Sequence, residues 1–177
     1  WERAAEKQPD FAAAWRNLSL AYYNKEKDPE KAKAAMKRAY ALEPENPRIF
    51  LEHDQLLKKL DTEVEKRLEN YERNASVFMQ RDDLKVEYGT LLSLNGRYRE
   101  ALDFIMENHF HPWEGGEGKI TTQYVFALLG LVLEEMKAQN WEDAKALLLQ
   151  ARSYPENLGE GKLEGSKDNH VNYYLGL

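Results

Sequence analysis

An internal period of 35 residues restricts this 177-residue chain to a repeat architecture. The pairs that show the period are Trp15 and Phe50, Ala4 and Ala39, and Pro9 and Pro44. Three residue types in one register are a repeat signal, because each unit of a repeat protein buries its apolar face against the next unit. The chain is long enough for several such units around a continuous core.

The first full unit contains two helix-periodic segments. Trp15, Leu18 and Tyr22 are spaced three and four residues apart, which places them on one face of a helix. A second helical face follows after a turn, and its small side chains allow two helices to approach closely. That second face consists of Ala32, Met36 and Ala39.

Capping residues mark the expected helix starts. Asp28 and Asn46 each precede a proline, and a polar cap followed by proline is typical of the beginning of a helix. The segment T-E-V-E at residues 62–65 has the form of a capping box, which predicts a further helix start there.

The combined pattern, W-x2-L-x3-Y followed by A-x3-M-x2-A-x4-P, resembles the tetratricopeptide repeat (TPR). One extra residue lies in the turn between the helices, and Ser19 replaces the usual glycine. The resemblance implies an all-α fold, a right-handed α-α superhelix of stacked TPR helical hairpins, as a single solenoid over residues 1–177. Residues 1–10 then end a preceding repeat, 11–46, 47–80, 81–118 and 119–165 are repeats, and 166–177 start a further one. Because both ends stop inside a repeat, we expect the sequence to be an excerpt of a longer protein.

Two loops of the chain are copies of each other, at the expected junctions between repeats. The segments are H-P-W-E-G-G-E-G-K at residues 111–119 (copied loop 1) and Y-P-E-N-L-G-E-G-K at residues 154–162 (copied loop 2). They share P-x-x-x-G-E-G-K at a separation of 43 residues. The sequences of these loops resemble the TPR region of large bacterial proteins. In those proteins a β-rich domain of unknown function lies upstream, and that domain resembles carbohydrate-associated modules.

The copied loops have two interpretations. Their glycines permit positive φ, and Lys119 and Lys162 are expected near helix starts that favour an anion, while Trp113 offers a ring to a sugar or a peptide. Alternatively, the glycines end the preceding helices and the loops only shape the repeat junctions, which is the interpretation we favour. The candidate contact residues are Trp113, Glu114, Glu117, Lys119, Glu160 and Lys162.

Nucleotide and catalytic chemistry are not indicated. Trp113 and Glu156 occupy the position of the first glycine of a phosphate-binding P-loop, so the G-E-G-K segments do not fit that motif. There is no cysteine and no H-E-x-x-H, and no serine carries a nucleophile signature. We therefore expect no enzymatic activity, no metal site and no cofactor.

The charge balance and the apolar runs exclude other partners. Lys and Arg total 25 against 31 Asp and Glu, for a net charge of −6, which argues against general nucleic-acid binding. No apolar run approaches the roughly 20 residues that span a bilayer.

A partner-binding groove is expected on the first helix of each unit, which lines the concave side of a TPR stack by resemblance. Leu20 stands where carboxylate-clamp members have an asparagine, so a chaperone-tail function is not expected. The other groove positions form a locally basic wall that suits an extended acidic peptide, unless the charges are simply solvated or paired locally. These positions are Arg16, Tyr23, Asn24, Arg48, Gln55, Lys58, Lys59 and Tyr124.

Two functions follow from these features. The first is a non-enzymatic interaction scaffold that holds a peptide, a partner protein or another domain of the same chain in its groove and extended loops. The alternative is the helical accessory region of a carbohydrate-active or carbohydrate-binding multidomain bacterial protein, whose loops would contact a saccharide.

Overall fold

The computed structural model describes residues 1–165 and 167–176 and divides into two compact units, Trp1–Arg81 and Asp82–Leu177. Ser166 and Leu177, which belong to the expected start of a further repeat, lie outside the described residues. The described residues are helical, with no strand among them, which confirms the all-α expectation. The predicted boundaries of the individual repeats stay a prediction.

Unit 1 pairs helices of ten to fourteen residues. Its helices are α1 (Glu2–Lys7), α2 (Ala12–Ala21), α3 (Pro29–Leu42), α4 (Pro47–Lys59), α5 (Val64–Arg73) and α6 (Ala75–Phe78). Helix α2 packs against α3, and α3 packs against α4. The two faces predicted for the first unit meet at this contact, because Trp15 and Tyr22 pack on a core that contains Ala32, Met36 and Ala39.

Ser19 has a structural role that explains its presence in place of glycine. Its side chain is buried, and its hydroxyl donates a hydrogen bond of 2.8 Å to the backbone carbonyl of Ala32. A buried hydroxyl costs free energy unless it is paired, and this bond pairs it across the α2–α3 contact.

The extra residue of the first turn is accommodated by a change of helix type. Helix α2 continues as a π-helical turn, Tyr22–Glu26, and Lys27 follows in the left-handed conformation with φ of 57°. A π-turn absorbs one inserted residue without breaking the helix. The same left-handed position recurs before the second helix of later pairs, at Asp61, Gly96 and Gln139.

All three predicted helix starts are confirmed, and two of them have the expected side-chain cap. Asp28 accepts a hydrogen bond of 2.9 Å from the Lys31 backbone N–H, and Asn46 caps α4 in the same way. The predicted capping box at residues 62–65 is wrong: α5 begins at Val64, and its N-cap residue Glu63 makes no side-chain cap bond.

The pair α4 and α5, where the small core residue of the pattern is missing, is joined by a buried ion pair. Arg67 donates to both carboxylate oxygens of Asp54, at 2.9 and 2.7 Å, and the Tyr71 hydroxyl lies 3.2 Å from Asp54. Asp54 and Arg67 are 1% and 3% exposed. Large polar side chains therefore fill the space that an alanine would close elsewhere.

Unit 2 is organised around its longest helix. Its helices are α7 (Asp82–Leu94), α8 (Tyr98–Glu107), α9 (Lys119–Lys137), α10 (Trp141–Gln150) and α11 (Asn169–Leu175). Helix α9 packs against α7, α8 and α10. Gly130 is required at the α8 contact, because a Cβ atom there would lie 2.2 Å from the ring of Tyr98.

Candidate functional site

Five of the predicted groove residues lie along one side of unit 1. Leu20, Tyr23 and Asn24 come from α2 and its π-helical turn, while Gln55 and Lys59 come from α4. Together with Glu52 they surround a shallow depression of about 30 Å³. Because that volume holds little more than a water molecule, the surface suits contact with an extended chain rather than enclosure of a side chain.

Exposed Lys59 and half-buried Tyr23 form the centre of this surface. The Lys59 ammonium lies 5.3 Å from the centroid of the Tyr23 ring, within the range of a cation–π contact. Asn24 and Gln55 are exposed beside them. We call the set Leu20, Tyr23, Asn24, Gln55 and Lys59 the unit 1 surface.

The predicted basic wall is partly neutralised by one carboxylate. Arg16 forms an ion pair with Glu52, and Arg48 reaches the same carboxylate with its Nε at 3.3 Å from Oε1. Arg16 is largely covered, whereas the Arg48 side chain is 66% exposed. The exposed basic side chains of this wall are therefore Arg48, Lys58 and Lys59.

Tyr124 does not extend the groove wall, contrary to the prediction from sequence. Its side chain is 1% exposed, and its ring lies 6.5 Å from that of Tyr154. Burial raises the pKa of the Tyr124 hydroxyl. Helix α9 is apolar on several faces, and its actual phase turns Tyr124 and Ala127 towards the core of unit 2.

The two copied loops contact each other. The Glu160 carboxylate of copied loop 2 accepts a hydrogen bond from the backbone N–H of Gly118 in copied loop 1, at 2.9 and 3.0 Å from its two oxygens. Gly118 precedes α9, so this carboxylate lies at the N-terminus of that helix. The anion expected near Lys119 is therefore a side chain of the protein itself.

Asn157 attaches copied loop 2 to the end of α8. Its side-chain amide donates hydrogen bonds of 2.8 Å to the backbone carbonyls of Ile105 and Asn108. The backbone carbonyl of Asn157 accepts a hydrogen bond of 2.9 Å from the Phe110 N–H. The loop therefore satisfies carbonyl groups that the end of a helix leaves without partners.

The beginning of copied loop 1 is held by α7. Asp82 accepts a hydrogen bond of 3.0 Å from the His111 backbone N–H and also pairs with Lys85. Partial burial by itself would raise the pKa of the Asp82 carboxyl, but the bonds from Lys85 and His111 outweigh it and leave that pKa lowered.

The remaining loop candidates divide into engaged and exposed side chains. Trp113 packs on the backbone of Gly116, where a Cβ atom would lie 2.2 Å from the indole, and the Lys119 ammonium lies 5.8 Å from the indole centroid. Glu114 and Glu117 are exposed. The copied loops thus shape the junction through their own contacts.

Lys119 is the first residue of α9, as expected, but Lys162 does not begin a helix. It lies in the loop before α11 and pairs with Asp168 at 2.6 Å. The next helix after copied loop 2 begins only at Asn169, so the equivalent lysine is displaced from that helix start.

A cavity of unit 2 lies beside copied loop 2. It has a volume of about 310 Å³, and its apolar side is formed by Val125, Phe126 and Leu129 of α9 with Leu163 and Val171 opposite. Lys162, Lys167, Asp168 and His170 also line it. We call this cavity the unit 2 pocket.

Of the residues that line this pocket, the sequence predicted only Lys162 as a candidate contact. Asp168 is a single polar residue in a loop, and its partner is a lysine six positions away. Asn157, which attaches copied loop 2 to α8, lies in a short 3-10 helix and binds distant backbone groups, so it was missed as well. The exposed apolar residues of α9 gave a signal, since Phe126 and Leu133 are seven residues apart and both remain exposed. That spacing marks one helical stripe.

Comparison with known proteins supports the fold class. No family model matches the chain. Among solved structures, the chain is similar to YrrB, described as a TPR protein with an unusual peptide-binding site, with a TM-score of 0.58 and 18% sequence identity over 99% of this chain and 80% of that one. The chain therefore has a TPR-like helical-repeat fold.

No described helix is both long and apolar enough to cross a bilayer. Among the described residues, no group of three or more His, Asp or Glu side chains is arranged to hold a metal ion.

Proposed function

We propose that this chain is a non-enzymatic protein–protein interaction scaffold that binds an extended peptide, or a segment of a partner domain, along the unit 1 surface. The observation that carries the proposal is the pair of half-buried Tyr23 and exposed Lys59, which presents an aromatic ring and a cation between two helices. Tyrosine is among the residue types enriched in binding hot spots, and a lysine beside it adds electrostatic complementarity to an acidic partner.

The expected ligand is an extended segment with acidic groups. Lys59 and the exposed Arg48 supply positive charge, while the amides of Asn24 and Gln55 can bond to a peptide backbone. The peptide-binding site described for YrrB is a property of that protein; the shared fold is a second support for the proposal.

The alternative function, as an accessory region of a carbohydrate-active protein, rests only on the amino-acid sequences of the copied loops. Stacking on a sugar needs a free aromatic face, and the Trp113 ring already packs on Gly116 with Lys119 nearby. No described contact adds support to saccharide binding, so the scaffold is the function that the geometry favours.

The test is a selection of dodecamer peptides from a random display library on the purified chain, followed by fluorescence anisotropy with the recovered sequences. We expect acidic peptides whose affinity falls roughly tenfold or more in Tyr23→Ala and in Lys59→Glu, as for central contacts of an interface. Lys33→Glu, an exposed lysine on α3, is the matched control and should change the affinity little. Recovery of no peptide, or equal losses in the control, would contradict the proposal.

A further inference from the structure

The unit 2 pocket is defined by an apolar wall and a cationic rim. Phe126 and Leu163 remain 41% and 44% exposed at the pocket, although large apolar side chains are ordinarily covered. A volume of about 310 Å³ is at the lower end of cavities that hold small ligands. That volume accommodates one or two large side chains, unlike the shallow unit 1 surface.

Copied loop 2 builds one side of this pocket. The bond from the Gly118 N–H to Glu160 fixes the loop beside α9, and Gly118 itself lines the pocket. Leu163 lies against Gly118 so closely that a Cβ atom on residue 118 would be 2.4 Å from Leu163 Cδ1. Glu160 is therefore a positioning residue, which holds Lys162 and Leu163 at the pocket.

The hydroxyl groups at the floor are already used. Thr121 and Thr122 both donate to the carbonyl of Gly118, at 3.1 and 2.6 Å. Both threonine hydroxyls are thus directed into the loop contact, so that a ligand would meet apolar surface, charged side chains and Tyr154.

The charges of the rim favour an anionic ligand. Lys162 is paired with Asp168, whereas Lys167 is exposed and forms no ion pair within the described residues. His170, also exposed, lies on the same rim. The rim has two lysines and one aspartate, whereas unit 2 as a whole has 9 basic and 16 acidic residues. Positive charge is therefore concentrated at the pocket of an otherwise acidic unit.

We propose that the unit 2 pocket is a second peptide-binding site, which takes a large apolar side chain of an acidic segment and pairs a neighbouring carboxylate with Lys167. The apolar wall provides burial of the side chain, and the lysine provides charge complementarity that selects an acidic neighbour. The inference rests on the proposed scaffold function but uses residues that the unit 1 surface does not contain.

Three labelled, amidated nonapeptides test the two requirements separately. The first is Gly-Ser-Asp-Glu-Phe-Leu-Asp-Ser-Gly, the second replaces its acidic residues by their amides, and the third replaces Phe and Leu by Ala. Fluorescence anisotropy should show binding of the first peptide, with at least fivefold weaker binding of each of the others. Equal binding of the first two peptides would exclude charge recognition, and absence of binding by all three would overturn the proposal.

Variants of the chain locate the site. Lys167→Glu and Phe126→Ala should each lower the affinity for the first peptide by roughly tenfold. Glu160→Gln should also lower this affinity, because it releases copied loop 2. Lys137→Glu is the control, because Lys137 is exposed on the same helix but does not line the pocket. Circular dichroism establishes that each variant is folded before its binding is compared.

The outcomes distinguish this inference from the scaffold function. Loss of the first peptide in Tyr23→Ala or Lys59→Glu, with no change in Lys167→Glu and Phe126→Ala, would overturn the unit 2 site and leave the scaffold function standing. A change of sedimentation coefficient in Phe126→Ala without any peptide binding would mean that a second copy of the chain covers the pocket, which also overturns the proposal.

Discussion

The carboxylate of Glu160 lies at the amide of Gly118, with its two oxygens 2.9 and 3.0 Å from the nitrogen. The two residues are 42 positions apart and belong to different copied loops. Because Gly118 is the N-cap of α9, the negative charge meets the positive end of a 19-residue helix. The contact therefore combines a charge-assisted hydrogen bond with a favourable helix-dipole interaction.

Removal of this carboxylate should destabilise unit 2. We expect Glu160→Ala to lower the free energy of unfolding by about 1.5–3 kcal/mol, the range for hydrogen bonds to charged groups. Glu117→Ala is the matched control, since Glu117 has the equivalent place in copied loop 1 but is exposed. Urea unfolding followed by circular dichroism measures both, and equal effects of the two substitutions would contradict a special role for Glu160.

The glycines of the copied loops should differ in their tolerance of alanine. Gly159 has a φ of +70°, and a Cβ atom there would lie 2.2 Å from the backbone oxygen of Phe110; Gly118 has a φ of +75° but would meet only the movable Leu163 side chain. Gly161 has open space around it. Substitution by alanine should therefore lower the free energy of unfolding most at Gly159 and little at Gly161. At Gly118 we expect a loss of about 1–2 kcal/mol, because alanine disfavours the left-handed backbone conformation.

Thermal unfolding of the three glycine variants gives this ranking directly. Melting temperatures should fall in the order Gly161→Ala, Gly118→Ala, Gly159→Ala, with the last of the three the lowest. If Gly161→Ala is as damaging as Gly159→Ala, the copied loops do not have the asymmetric contacts described above.

The buried pair of Asp54 and Arg67 should be sensitive to the loss of one member. Asp54→Ala leaves a guanidinium without its bidentate partner in a site that is almost closed to water, so we expect a loss of about 3–5 kcal/mol. Replacing both residues by apolar side chains, Asp54→Leu with Arg67→Met, should recover much of that loss. Denaturant unfolding of the single and double variants tests this, and a double variant no more stable than Asp54→Ala would count against it.

Unit 1 should become less stable as the pH falls through the titration range of histidine. Burial lowers the pKa of His53, with the Asp54 carboxylate acting in the opposite direction, and the ring stacks on Tyr40 with centroids 4.8 Å apart. Because the folded-state pKa lies below that of the unfolded chain, near about 6.5, the unfolded state binds more protons as the pH falls below that value. Stability is therefore fully present above about pH 6.5 and decreases below it.

The His53→Phe variant isolates this contribution, because phenylalanine keeps an aromatic ring beside Tyr40 and does not titrate. Urea midpoints at pH 7.5 and 5.5 should differ more in the original chain than in the variant. An identical pH dependence in both, or an NMR titration that places the His53 pKa at or above 6.5, would refute the prediction.

Periodicity predicted the helix faces of the first unit because it depends only on spacing within one helix. The faces of Trp15 and Ala32 meet as expected, and Asp28 and Asn46 cap their helices, since a cap bond spans three residues or fewer. Tyr124 was placed wrongly because the apolar residues of α9 surround much of the helix, so that spacing alone does not identify its core face.

The contact between the copied loops could not be predicted from the sequence, for a different reason. The motif identified which residues are repeated, but Glu160 binds Gly118 and not its own counterpart Glu117 or its neighbour Gly161. Such pairing between unlike positions depends on how far one helix pair is displaced from the next. The buried Asp54–Arg67 pair was missed similarly, because charged side chains in a helix are ordinarily exposed.

Each copied loop contains both residue types of the Glu160–Gly118 hydrogen bond, a glutamate and the glycine that follows it. Copied loop 2 uses its glutamate and copied loop 1 uses its glycine, while Glu117 and Gly161 retain the complementary halves. A gene duplication of the 43-residue segment therefore delivers a neighbour whose loop already fits the loop before it. Growth of the array needs no matching mutation elsewhere, and natural selection can then alter the pocket lining of each new unit independently of the junction that holds it.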